Sequence, residues 1–156
     1  MQVQDIMTRD VASALPLMNA AEAAEIMWNR NCGSLPVVAD GGQVIGMVTD
    51  RDLFIALGTQ NRRAADLAVG EIMHVNPSVC SPQEDLRHAL QTMARQRVRR
   101  LPVVDESGVL QGILSIDDAV ARAGAMLADD GILGALKAIC EAQTKQGAPN
   151  IQLATA

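Results

Sequence analysis

The chain contains the same pattern twice, and this duplication restricts its fold more than any other feature. Residues 35–52 align without a gap with residues 101–118, which lie 66 positions further along. Each stretch has two β-type apolar runs around an acidic, glycine-containing turn, followed by a hydroxyl residue that can begin a helix. The turns are Asp40-Gly41-Gly42 and Glu106-Ser107-Gly108. We therefore expect two halves that share one fold.

Composition excludes several classes of protein. A chain of 156 residues with 49% hydrophobic residues can form one compact domain or two interlocked halves. A net charge of -5 argues against duplex nucleic acid as the main partner. No apolar run approaches the roughly 18 residues of a membrane span, and the N-terminus lacks the basic-then-apolar order of a signal peptide. We expect a cytoplasmic protein without a membrane partner.

The cysteines and histidines do not indicate a metal site or a catalytic centre. Cys32, Cys80 and Cys140 are odd in number and form no C-x-x-C pattern, so we interpret them as small buried apolar residues. His88 is expected on a solvated helix face, and the role of His74 stays open. Without a Cys/His pair, a metal-ligand cluster or a phosphate-cradling glycine loop, we expect no enzyme and no required cofactor.

Each half predicts the element order β-α-β-β-α, which is an α/β (α+β) fold. Short extended pieces at 11–16 and 77–82 precede helices capped by Asn19 and Asp85. Second helices are predicted at about 50–57 and 116–126. The helical stripes occupy equivalent positions in the two halves: Ala20, Ala23, Ala24 and Met27 in one, Leu86, Ala89, Leu90 and Met93 in the other.

The predicted domains follow from the duplication. Repeat one covers residues 1–58, a linker 59–68 and repeat two 69–126. Each repeat alone is marginal in size, so the two should pack face to face. Residues 127–156 contain an amphipathic helix with the apolar stripe Ile132, Leu133, Leu136, Ile139 and Cys140, followed by a frayed tail.

A hydroxyl residue and an acid recur at the end of the second strand of each half, as Thr49-x-x-Asp52 and Ser115-x-x-Asp118. The acid lies on the same side of the first helical turn as the hydroxyl, and the pair can accept hydrogen bonds from vicinal hydroxyls such as those of ribose. The same spacing is that of a capping box, which serves only the helix itself. Both interpretations stay open, because duplication copies caps as faithfully as sites.

The repeated order of these motifs, with Leu-Pro-Val-Val and Gly-x-x-[Thr/Ser]-x-x-Asp, resembles a tandem pair of cystathionine-β-synthase (CBS) domains, or Bateman module. The resemblance covers about residues 3–122. The versions at 49–52 and 98–103 are similar to small stand-alone bacterial CBS pairs, including the hypoxic-response type. The resemblance implies two repeats related by a pseudo-twofold axis, with two ligand clefts between their sheets.

The resemblance also implies roles for individual residues. Thr49 with Asp52, and Ser115 with Asp118, would hold the ribose. Arg99 and Arg100 would approach phosphates in repeat two, where repeat one has only Gly33 and Ser34. The segments Thr8–Ser13 and His74–Val79 would line the base, each opposite the carboxylate of the other repeat. Arg51, with Arg62 and Arg63, is expected to assist the repeat-one cleft, so the clefts should differ in affinity.

The predicted function is a regulatory homodimer that binds an adenine nucleotide or related adenosyl ligand and transmits occupancy to an unknown protein partner. AMP, ADP, ATP, S-adenosylmethionine and NAD(H) are the ligands considered. With one Trp, one Phe and no Tyr, the base would lie between aliphatic side chains such as Val11, Val79 and Ile113. The alternative is a ligand-free dimerisation scaffold in which the hydroxyl and acid pairs are only helix caps.

Overall fold

The computed structural model describes residues 1–123, together with Gly134 and Lys137. The remainder of the predicted C-terminal helix and tail, and the predicted end of the last helix up to residue 126, lie outside the described residues. No helix in the described part is long and apolar enough to cross a lipid bilayer.

The elements confirm the mixed fold of two similar halves. The first half contains α1 (Ala20–Asn29), β1 (Ser34–Val38), β2 (Val44–Thr49) and α2 (Asp50–Gln60). The second contains α3 (Val69–Ile72), β3 (His74–Val75), α4 (Leu86–Gln96), β4 (Arg100–Val104), β5 (Leu110–Ser115) and α5 (Ile116–Ala123). Short 3-10 turns lie at Val3–Asp5 and Ala64–Asp66. Helix α2 extends three residues beyond the predicted Leu57, so it overlaps the start of the predicted linker.

One antiparallel hairpin forms the centre of each half. β1 pairs with β2 and β4 with β5 in the same register, and a β-bulge interrupts each ladder after an equivalent valine. The turns between the strands require a left-handed residue, which Gly42 (φ 81°) and Gly108 (φ 78°) supply without a Cβ clash. The acidic glycine turns therefore have the hairpin role that their composition predicts.

The predicted first strand of each half is reduced to one bridging residue. Ala14 pairs in parallel with Val37, and Cys80 pairs in parallel with Val103. Pro16 follows Ala14 by two positions and Pro82 follows Cys80 in the same way. Because proline has no backbone N–H to donate, it ends the pairing at once.

The leading segments, residues 3–7 and 69–73, do not pack on the repeats that they precede. Val3 is buried in the core of the second half, whereas Val69 is buried in the core of the first half. Immediately after them, Thr8 pairs with Ile113 of β5 and His74 pairs with Met47 of β2. The two halves are therefore interlocked by exchange of these segments.

A pseudo-twofold axis passes between the hairpin turns. Gln43 forms an antiparallel bridge with Val109, which is its own equivalent 66 positions later. The flanking hydrogen bonds are also equivalent: Val44 N–H donates to the Gly108 carbonyl (3.0 Å) and Leu110 N–H to the Gly42 carbonyl (3.1 Å). A residue can face its own repeat equivalent in this way only beside a twofold axis.

The helix stripes are confirmed except at Ala24. All four stripe residues of α4 are buried, and in α1 the residues Ala20, Ala23 and Met27 are buried. Ala24 is exposed, although its equivalent Leu90 is buried. A leucine side chain is long enough to reach the core from this helix position, whereas an alanine side chain is not.

The exchange can be tested at Gly112, over which the incoming segment passes. A Cβ added there would lie 2.7 Å from the Thr8 carbonyl oxygen. We expect Gly112→Ala to lower the free energy of unfolding, measured by chemical denaturation, by about 1–3 kcal/mol. The reason is that the backbone at Thr8 must move to make room for the added Cβ.

Gly58→Ala is the matched control. Gly58 lies in α2 and a Cβ added there would meet nothing within 4 Å. This substitution should raise the free energy of unfolding by about 0.5–1 kcal/mol through helix propensity. Equal changes in the two variants would contradict the close approach at Gly112.

Candidate functional site

Each hydroxyl and acid pair forms a capping box at the start of its helix. In the repeat-two corner, defined as Ser115 and Asp118, the Ser115 hydroxyl donates to Asp118 Oδ2 (2.5 Å) and Asp118 N–H donates to Ser115 Oγ (3.0 Å). In the repeat-one corner, Thr49 and Asp52, the same bonds measure 2.7 and 3.2 Å. The acids also accept from the Ser115 and Thr49 backbone N–H groups through Oδ2. The capping interpretation is therefore confirmed for one carboxylate oxygen.

The second oxygen of each acid faces the other half of the protein. Asp118 Oδ1 accepts from the Thr8 hydroxyl at 3.4 Å, and Asp52 Oδ1 lies 3.0 Å from His74 Nε2. The two acidic side chains are only 15% and 16% exposed. One oxygen of each carboxylate is thus committed to the helix cap, and the other is directed toward a segment of the other half.

Two crossing segments, residues 8–14 and 74–80, bring the halves together at these corners. Residues 8–14 begin on β5, where Thr8 pairs with Ile113, and end on β1, where Ala14 pairs with Val37. Residues 74–80 run in the equivalent way from β2 to β4. Six extended residues can span about 20 Å, so each segment connects the sheets of the two halves.

The predicted base-lining residues lie at opposite ends of the crossing segments. Thr8 and His74 stand beside the carboxylates, each opposite the acid of the other repeat. Ser13 and Val79 immediately precede the bridging residues Ala14 and Cys80, so they lie at the far ends. Val79 borders a concavity of about 550 Å³ that also contains Glu84 and Asp105 and does not include either corner.

The two arginines predicted for phosphate lie close to the repeat-two corner. The Arg99 carbonyl accepts from Ile116 N–H at the start of α5 (2.9 Å), and Arg100 pairs with Ser115 across the sheet. Both side chains are partly exposed and lie 3.6 and 3.9 Å from the carboxylate of Asp117. They form a basic group beside the acid corner that is partly neutralised by Asp117.

The equivalent place in repeat one is acidic. The Gly33 carbonyl accepts from Asp50 N–H (3.1 Å), and a Cβ added to Gly33 would lie 3.0 Å from Asp50 Oδ2. Ser34 is buried in β1 and pairs with Thr49 across the sheet. Arg51 is exposed at the start of α2.

Arg62 and Arg63 do not assist the repeat-one corner as expected. Arg62 forms an ion pair with Glu71 (2.7 Å) and Arg63 with Asp66 (2.8 Å). The hydrogen bond from Arg62, followed by that from the Ala68 backbone, lowers the pKa of Glu71, and both pairings raise the pKa of the arginines. These acids hold the two arginines in the connection between the halves.

Arg122 belongs to the repeat-two corner, although the sequence analysis did not select it. Its Nη2 lies 3.8 Å from Asp118 Oδ1, and its Nη1 donates to the Ile6 carbonyl at 3.0 Å. The available signal was its position four residues after Asp118, one helical turn away on the same face. Its equivalent in repeat one is the buried Ala56, so comparison of the repeats passed over it.

The remaining candidates have structural roles. His88 Nδ1 lies 3.1 Å from Glu84 Oε1 and its side chain is 61% exposed, as expected for a solvated helix face. Cys80 is buried and Cys32 half-buried, while Cys140 lies outside the described residues. Among the described residues, no three His, Cys, Asp or Glu side chains are grouped to hold a metal ion.

Cys80 should be chemically inert in the folded protein. Burial, with a smaller contribution from the nearby Glu84 charge, raises the pKa of its thiol to about 12. At pH 8 the reactive thiolate form is therefore suppressed. We expect mass spectrometry after iodoacetamide treatment to find Cys80 unmodified in native protein and modified in denaturant. Equal alkylation of Cys80 under both conditions would contradict its burial.

Comparisons with known proteins agree with the duplicated fold. The family model described as CBS domain matches residues 3–59 and 69–124. A CBS domain-containing protein of Bacillus subtilis, YhcV, is 37% identical over 116 residues, which are 74% of this chain and 81% of that protein.

Solved structures with similar folds include adenosyl complexes. The CBS domain pair of protein MJ0100 with 5′-methylthioadenosine and S-adenosyl-L-methionine has a TM-score of 0.73 and 26% identity, covering 81% of this chain and 98% of that one. CBSX2, an Arabidopsis thaliana CBS-pair protein, in complex with AMP has a TM-score of 0.69 and 28% identity, covering 82% of this chain and 98% of that one. Hypoxic Response Protein I with two coordinated zinc ions has a TM-score of 0.71 and 26% identity, covering 78% of this chain and 98% of that one.

Proposed function

We propose that this chain, which belongs to the CBS domain family through both of its repeats, is a regulatory module that binds an adenosyl ligand at its two acid corners. Similar CBS pairs have been solved with AMP, 5′-methylthioadenosine and S-adenosyl-L-methionine. The proposal gives the chain a binding role and no catalytic one. The cytoplasmic location and the regulated protein partner remain predictions.

The second carboxylate oxygen of the repeat-two corner is the observation that carries this proposal. Among the described residues, Asp118 Oδ1 has a long hydrogen bond from Thr8 (3.4 Å) and a long ion pair with Arg122 (3.8 Å) as its side-chain contacts. Ribose hydroxyls are short-range donors, and bonds to an ionised acceptor are about twice as strong as neutral ones. A ribose can therefore replace both weak contacts while Oδ2 continues to cap α5.

Ligand exchange is expected to be easy because the clefts offer no aromatic stacking. The only two aromatic residues of the chain, Trp28 and Phe54, are 85% and 78% exposed. Half-buried aliphatic side chains such as Val11 and Ile113 remain as the surfaces against which a base would pack. Such contacts suit a sensor that must release its ligand.

Occupancy would be transmitted through the relative position of the two halves. Asp118 belongs to the second half, whereas the crossing segment that begins at Thr8 continues into the sheet of the first half. A ligand held between them shifts the angle between the halves if it binds two arrangements unequally.

An interaction scaffold is the second candidate, and exposed apolar side chains on α1 and α2 favour it. Trp28, Ala24 and Asp50 border one concavity of about 410 Å³, and Phe54 lies one helical turn after Asp50. Contiguous exposed apolar surface marks protein interaction sites. We propose a homodimer through this face, which is compatible with ligand binding elsewhere.

Asp118→Ala separates ligand binding from helix capping. It should weaken AMP binding by about 1.5–3 kcal/mol, on the order of 10- to 100-fold, because a charged acceptor is removed. It should also lower the free energy of unfolding by about 0.5–2 kcal/mol through loss of the cap. Calorimetry and denaturation measure the two effects.

Asp85→Ala is the matched control for this experiment. Asp85 caps α4 by accepting from Arg87 N–H (2.9 Å), and it is not part of either corner. It should produce a similar loss of stability without a change in AMP affinity. Unchanged AMP affinity in Asp118→Ala, or an equal loss of AMP affinity in both variants, would show that the corner is only a cap.

The dimer surface is tested with the double variant Trp28→Ser, Phe54→Ser. We expect sedimentation equilibrium to show at least a tenfold weaker dimer, because two large apolar side chains leave the interface. Leu17→Ser, at a side chain that is 93% exposed outside these two helices, is the control and should leave the dimer intact. A monomeric wild type, or a dimer unaffected by the double variant, would rule out this interface.

A further inference from the structure

The repeat-two corner is surrounded by more basic than acidic side chains. Arg99 and Arg100 lie within 4 Å of Asp117, and Arg122 lies 3.8 Å from Asp118. Three arginines and two aspartates thus lie close together, at the start of β4 and in the first two turns of α5. All three guanidinium groups are partly exposed, so they can turn toward a ligand.

The repeat-one corner has the opposite balance. The equivalents of the three arginines are Gly33, Ser34 and Ala56, none of which carries a charge. Asp50 occupies the position of the buried Ile116, and its carboxylate covers Gly33. Asp50 and Asp52 thus have one arginine nearby in the chain, Arg51, and Asp52 lies 3.0 Å from His74 Nε2.

We propose that the two corners select adenosyl ligands by charge. The repeat-two corner takes a ligand with an anionic 5′ group, such as a nucleoside monophosphate, and the repeat-one corner takes an adenosyl ligand whose 5′ group is uncharged or cationic. This inference rests on the proposed function, since it presumes that each acid holds a ribose. Asp50 and Arg122 are the residues that discriminate.

Arg122 can respond directly to ligand binding. It holds the Ile6 carbonyl and approaches Asp118 Oδ1, the oxygen assigned to the ribose. When ribose hydroxyls donate to Asp118 Oδ1, the Arg122 guanidinium no longer pairs with that oxygen. It then lies within one helical turn of the ligand. An anionic 5′ group then replaces the carboxylate as its partner.

Asp50 has the reverse effect in repeat one. Its carboxylate is oriented by a hydrogen bond from Arg51 N–H to Oδ1 (2.7 Å), while Oδ2 points over Gly33. A phosphate entering this space would meet a like charge, which costs binding energy at a distance of several ångströms even in a solvated site. A sulfonium or an uncharged thioether meets no such penalty.

Single-corner variants of the full chain separate the two sites. Asp52→Ala leaves the repeat-two corner, and Asp118→Ala leaves the repeat-one corner. Calorimetric titration with AMP, 5′-methylthioadenosine and S-adenosylmethionine should show AMP as the tightest ligand of Asp52→Ala and the weakest of Asp118→Ala. AMP binding to Asp52→Ala should also weaken as ionic strength rises, whereas binding of the uncharged thioether should not.

Charge variants in these backgrounds test the two discriminating residues. Asp50→Asn added to Asp118→Ala should raise AMP affinity about 3- to 10-fold and change 5′-methylthioadenosine affinity less than twofold. Arg122→Gln added to Asp52→Ala should lower AMP affinity by a similar factor. Glu25→Gln and Arg95→Gln, on exposed faces of α1 and α4, are the matched charge controls and should leave AMP affinity unchanged.

The outcomes distinguish this inference from the proposed function. If every ligand binds both corners with equal affinity, or if Asp50→Asn and Arg122→Gln behave like their controls, charge selection is wrong while the sensor function stands. If the wild-type chain binds none of the three ligands, the proposed function fails and the selection fails with it.

Discussion

The pairing of each leading segment with the sheet of the other half is the interaction on which the rest of the structure depends. Thr8 and Ile113 exchange two backbone hydrogen bonds of 2.9 Å, and His74 pairs with Met47 in the equivalent place. The glycines that receive these segments leave no room for a side chain. As a result, each half completes the core of the other, and each acid corner has a residue of the other half opposite it only when both halves are folded.

In this arrangement a helix cap and a binding site do not exclude one another. Each acid commits Oδ2 to the first turn of its own helix and presents Oδ1 to a segment from the other half. A ligand that binds Oδ1 does not have to break the cap, so it can bind without unfolding the helix start. It also contacts both halves, which is what a sensor of relative domain position requires.

Local patterns predicted most of the fold and, within the candidate site, the pairing of a hydroxyl with an acid at the start of α2 and α5. The hairpins, the caps at Asn19 and Asp85 and the stripe of α4 follow from neighbouring residues, and the structure contains them. The exchange of leading segments was not predictable in this way, because duplicated sheets offer nearly identical edges and a segment fits either copy. Arg122 was missed for a related reason: a search for residues shared by both repeats cannot find one that occurs in only one.

The most direct measurement is a crystal structure of the full chain grown with AMP. We expect ribose hydroxyls within hydrogen-bond distance of Asp118 Oδ1, with the Ser115 to Asp118 Oδ2 bond intact and the Thr8 contact replaced. An AMP molecule bound elsewhere, for example in the concavity beside Glu84 and Asp105, with Asp118 Oδ1 still facing Thr8 and Arg122, would contradict it.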